Sequence, residues 1–231
     1  MTSYRAALAA LIIIGAGVVT PAPASAQVVT DERLWTNLSL QERQGTESPW
    51  RWSGELVLRT RYGVDDVDVF VMRGLVGYDL TGRSSAYAGF GLIPSFPATG
   101  GTLLEKRLFE QYLWSGRSLG GSLALRTRLE QRWAEGNDAL VWRIRQQIRY
   151  TRPIAPNSRY SLIGWEEIFF HVNETVRYVR GFEQNRVFGG VSRTLTDRVR
   201  IEIGYLNQFS RSVIGPDRLN HVLSVATVVA F

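Results

Sequence analysis

Few residues in this sequence carry reactive chemistry. There are two histidines, His171 and His221, and no cysteine. A hydroxyl nucleophile needs an imidazole within hydrogen-bond reach. His221 is followed by Val222, Leu223 and Ser224, and on a strand positions 221 and 224 point to opposite faces, so they do not pair. His171 has Asn173 beyond it and no serine beside it. Glu167, His171 and Glu174 lie near one another in sequence, without the spacing of a metal motif. No glycine-rich loop follows a strand and opens a helix to cradle a phosphate. The expectation is no catalytic constellation, no metal site and no cofactor, with His171 solvated in a loop and His221 at an interface. The lack of cysteine excludes disulfides and thiolate metal sites.

The other reactive side chains are arginines and glutamates. The chain has 27 basic and 21 acidic residues and a net charge of +6, and Lys106 is the single lysine. Arginine suits fixed bidentate pairing with carboxylates and phosphates. A basic chain can bind nucleic acid. Here, however, the arginines form no patch or tail. They alternate with apolar residues, and no nucleic acid is expected.

That alternation has period two, the mark of a strand with two unlike faces. In 123–133, Leu123, Leu125, Leu129 and Trp133 oppose Arg126, Arg128, Glu130 and Arg132. In 140–150, Leu140, Trp142, Ile144, Ile148 and Tyr150 oppose Arg143, Arg145, Gln147 and Arg149, with Gln146 an exception on the apolar side. Glu55, Arg59 and Arg61 share a polar face in 53–62, and Glu202 has its place on one in 199–209. Further strands are predicted over 34–44, 67–80, 85–93, 104–114, 159–170, 183–193 and 219–231. These place Glu105, Arg107, Gln111, Gln184 and Arg186 on the same polar side. The segment 67–80 fits either phase, and Glu166-Glu167 puts one carboxylate on each face.

Eleven segments result, whereas single-chain bacterial barrels normally have an even number of strands. Twelve strands are therefore expected, with ten as the alternative and the missing strand before Gly82. Compact turns are expected at 115–118, 152–158 and 194–197, and longer loops at 94–101, 134–138, 171–181 and 211–218. Trp133 and Trp142 flank one loop, and Tyr150 and Tyr160 flank the opposite turn. Such aromatics suit the two rims of a membrane barrel.

The ends of the chain bear on its address. Arg5, the apolar run 6–19 and Ala24-Ser25-Ala26 have the form of a secretory signal peptide cleaved before Gln27, leaving 27–231 as one domain. The C-terminal strand has Val225, Val229 and Phe231 on one face. It resembles the signal that the barrel assembly machinery reads in bacterial outer-membrane proteins. The stretches Glu105-Lys106-Arg107, Phe182-Glu183-Gln184-Asn185-Arg186, Ile203-Gly204-Tyr205-Leu206-Asn207 and Asn220-His221-Val222-Leu223 resemble motifs of an uncharacterised family of small bacterial outer-membrane proteins. That resemblance covers nearly all of 27–231. It implies a β-barrel with no established activity, ligand or catalytic residue.

The expected fold is all-β, a single antiparallel transmembrane barrel in the outer membrane, bordered by lipid and lipopolysaccharide. Its arginine-rich lumen suits a channel or binding protein for small anions. The alternative is a closed structural barrel filled by arginine–glutamate pairs, and an outer-membrane lipid hydrolase ranks behind both.

Overall fold

Alternating apolar and polar residues make each segment a ribbon with two unlike faces, and curling the sheet separates those faces into an inside and an outside. The computed structural model describes residues 28–42, 48–137 and 139–231. The signal segment and its cleavage site lie outside the described residues.

The strands are β1 Val28–Gln41, β2 Trp50–Arg61, β3 Asp66–Thr81, β4 Ser84–Ser95, β5 Leu103–Ser118, β6 Gly121–Ala134, β7 Val141–Pro153, β8 Tyr160–His171, β9 Gly181–Thr194, β10 Val199–Ser210 and β11 Asp217–Ala230. They form one closed barrel in which sequence neighbours pair antiparallel. The seam is different. β1 pairs with β11 in parallel, from Val28 opposite Asp217 to Gln41 opposite Ala230.

The barrel thus has 11 strands, neither twelve nor ten, and it is not antiparallel throughout. The eleven segments read from the sequence correspond to the eleven strands. An even number is needed only where the first and last strands meet antiparallel, and a parallel seam removes that requirement. It also sets Val28 and Phe231 at opposite rims.

Linker residues 62–65, 96–102, 135–137, 139–140, 172–180 and 211–216 lie at the Val28 rim; 82–83, 119–120, 154–159 and 195–198 lie at the Phe231 rim. The expected turn at 115–118 is strand instead. β5 continues to Ser118, and the chain reverses at Leu119-Gly120, both with positive φ (47° and 76°), as a tight hairpin requires.

Outward-facing side chains are largely apolar and exposed, among them Leu56, Val76, Leu108, Leu162, Val187, Ile203 and Leu223. Aromatics gather near both rims. Trp52 meets Phe231 at 4.2 Å and Trp50 meets Tyr78 at 5.3 Å, while Phe182 stacks on Phe209 near the opposite rim. Polar pairs interrupt the outer band at mid-height: Glu110 with Gln131 at 2.9 Å, Thr127 with Gln146 at 2.6 Å and Glu166 with Asn185 at 2.7 Å.

Inside, small residues make room for large ones. A Cβ on Gly204 would lie 2.4 Å from the Gly189 carbonyl oxygen, and one on Gly190 would lie 2.4 Å from that of Ile203. Phe188 covers this close approach and joins Trp35, Ile163, Leu206 and Val222 in an apolar cluster on the inner wall.

Candidate functional site: a charged interior in three levels

The polar residues picked out by strand phase lie on the inner face, but not in one group. Their partners divide them into levels along the barrel axis.

At the Val28 rim, Glu105 accepts hydrogen bonds from Arg132 Nε at 2.7 Å and Nη2 at 3.0 Å, and from Arg107 Nε at 2.5 Å. Arg143 Nη1 donates to both oxygens of Glu183 at 3.0 Å. Arg132 Nη1 lies 3.1 Å from His171 Nε2, and its guanidinium sits over the Tyr178 ring at 5.0 Å. Tyr178 belongs to linker 172–180, so this contact draws that loop over the mouth. His171 is a buried end of β8 held among Arg132, Glu183 and Tyr178, not a solvated loop residue. Arg61 lies apart, with Arg33, Asp66 and Asp68. Its Nε donates to Asp66 at 2.9 Å and its Nη1 to the Phe96 carbonyl at 2.6 Å.

At mid-height the side chains fill the interior. Glu130 is 1% exposed, accepts from Arg143 Nε at 2.9 Å and Arg145 Nη1 at 2.7 Å, and has Arg128 at 3.8 Å. Glu167 is 2% exposed and accepts from Arg145 Nε at 2.9 Å and Arg126 Nη2 at 2.7 Å. Arg145 and Arg186 lie over the Phe169 ring at 4.5 and 4.6 Å, and Arg128 lies over Phe109 at 4.4 Å while donating to Gln111. Pairing and ring contact make burial of so many charges tolerable.

Toward the Phe231 rim the side chains open out. Arg126 is 20%, Arg149 28% and Arg200 42% exposed. They line a cavity of about 640 Å³ together with Trp35, Val57, Trp165, Phe188 and Leu206. Arg73 pairs with Glu55, and Gln147 is part of the lining. Arg149 Nη2 donates to Glu202 at 2.6 Å, linking β7 to β10. Arg200 Nε reaches the same carboxylate at 3.1 Å.

Several interior residues were not picked out by phase. Arg73 is on the segment that fitted either phase. Glu167 is the inward member of the Glu166-Glu167 pair. Glu183 reaches the interior beside Gln184 because the register shifts at Phe169/Phe170, which period two does not anticipate. By its place near a strand end Trp35 is expected among the rim aromatics, but it is buried on the inner wall, as is Phe169. They serve here as platforms for guanidiniums.

A model of the family described as a protein of unknown function, DUF2490, matches residues 32–220. The chain belongs to that family. It is also similar to an uncharacterised protein of Methylorubrum extorquens, 30% identical over 230 residues, which covers 98% of each chain. No solved structure matches.

Guanidiniums and carboxylates dominate the interior. No cluster of three or more potential metal ligands occurs among the described residues. His171 contacts an arginine, a glutamate and a tyrosine, and His221 contacts the Tyr205 hydroxyl at 2.5 Å on the outer face.

Proposed function

We propose that the chain is a small outer-membrane barrel that binds small anionic solutes in a chamber near its Phe231 rim, without conducting them through. The observation that carries this reading is the chamber lining: seven arginines (Arg59, Arg73, Arg126, Arg145, Arg149, Arg186 and Arg200) against three glutamates (Glu55, Glu167 and Glu202). Fixed guanidiniums in a partly desolvated cleft concentrate anions and bind them through charge-assisted hydrogen bonds.

The membrane address rests on three supports. The exterior is apolar and the interior charged, the reverse of a water-soluble barrel. The N-terminal sequence has signal-peptide form. Aromatic side chains gather near both rims of the apolar band, as at the two faces of a bilayer. The binding role is preferred to a channel because the mid-height arginines and glutamates are buried and mutually paired, whereas residues lining an open water path stay wet.

A closed structural barrel shares that filled layer, and ligand titration separates the two. Trp35 and Trp165 line the chamber and report on it. Titrating refolded protein with phosphate, acetate and benzoate should change tryptophan fluorescence saturably. Arg149→Gln should weaken binding roughly tenfold, the scale of one lost charged hydrogen bond. A flat response to every anion would favour the structural barrel.

A further inference from the structure

The chamber arginines are not equivalent. Arg73, Arg126, Arg145, Arg149 and Arg200 each reach a carboxylate within 3.1 Å. Arg59 and Arg186 do not. The Arg59 side chain makes no hydrogen bond or ion pair with the described residues, and its Nε is buried without a partner. Arg186 is 8% exposed, its Nε is also unpartnered, and its closest carboxylate oxygen is at 4.0 Å on Glu167.

Both guanidiniums rest on one ring, with Arg59 Cζ 4.1 Å and Arg186 Cζ 5.0 Å from the Trp35 centroid. Cation–π contact offsets only part of the cost of burying a guanidinium. Both guanidiniums line the same chamber with an unpartnered Nε, and an entering oxyanion would offset their buried charge.

The wall beside this seat is apolar. Trp165 stacks on Phe188 at 5.3 Å with an interplanar angle of 16°, and the buried Leu206 and Val57 back this wall. Basic residues border it, with Arg149 the register partner of Trp165 on β7 and Arg126 following on β6. A wholly hydrophilic anion would leave the Trp165–Phe188 wall facing water. A cavity of about 640 Å³ is the size of a small-molecule site.

From the same chamber reading, we infer that the ligand is an amphipathic monoanion. Its carboxylate or similar oxyanion sits between Arg59 and Arg186, and its aromatic or short alkyl body lies against Trp165 and the Phe188 ring stacked on it.

Calorimetric titration of the refolded wild-type protein at fixed ionic strength tests this with acetate, phosphate, benzoate, octanoate and benzyl alcohol. Benzoate and octanoate are expected to bind at least tenfold more tightly than acetate and phosphate. Benzyl alcohol, which enters detergent without a charge, is expected not to saturate. Arg59→Gln and Arg186→Gln should each weaken benzoate tenfold or more, and Glu110→Gln on the outer face should change it less than twofold. Phosphate binding as tightly as benzoate would overturn the amphipathic ligand and leave the anion chamber standing. Saturable benzyl alcohol of equal affinity would also overturn it. Absence of any binding would overturn both. The wild-type ranking decides even where a variant fails to fold.

Discussion

Glu130 touches or faces Arg107, Arg128, Arg143 and Arg145, and water scarcely reaches it. Removing one member of a buried ion pair leaves the others uncompensated, at a cost of about 3–5 kcal/mol. Glu130→Gln is therefore expected to lower the urea midpoint of the refolded protein strongly, while Glu110→Gln on the outer face changes it little. Equal midpoints for Glu130→Gln and wild type would show that the mid-height layer does not hold the barrel. The inward position of Glu130 was legible because Arg126, Arg128, Glu130 and Arg132 keep strict phase on β6. Its partners on β7 were legible for the same reason. Glu167 and Glu183 were not, since one sits in a run of two carboxylates and the other beside a register shift. The sequence therefore suggested a larger arginine surplus than the folded interior contains. The pairing that corrects it comes from strands distant in sequence.

At the scale of elements, β9 and β10 approach so closely at Gly190 and Gly204 that a side chain has no room. Gly204→Val would push against the Gly189 carbonyl and the Phe188 ring, and should reduce the refolded fraction severely. Gly74→Ala meets nothing within 4 Å and should fold normally. Heat-dependent mobility on detergent gels, which separates folded from unfolded barrel, reads both. Comparable refolding of Gly204→Val and Gly74→Ala would contradict the close approach. Strand positions were legible throughout because period two is local. Turn positions were less so. Ser115-Gly116-Arg117-Ser118 has turn composition but continues β5, where Gly116 lies against Trp114 and the reversal waits for Leu119-Gly120.

At the scale of the molecule, the parallel seam leaves no trace in either strand's periodicity; the odd count of eleven segments implied it, and the even-number expectation overrode that count. Thr36 and Val225 are register partners across it. The chain has no cysteine, so Thr36→Cys/Val225→Cys introduces the only thiols, and the paired residues lie within disulfide reach. Oxidation should link them in the folded barrel. Persistent free thiols would indicate a strand inserted between β1 and β11. The same scale decides whether the interior is a passage or a chamber. Single-channel recording of the purified protein in planar bilayers, in chloride salt, is the direct measurement. Current no greater than that of the bare bilayer is expected, because the Arg–Glu–Phe layer around Glu130, Glu167 and Phe169 fills the barrel at mid-height. A steady, anion-selective conductance would contradict the chamber.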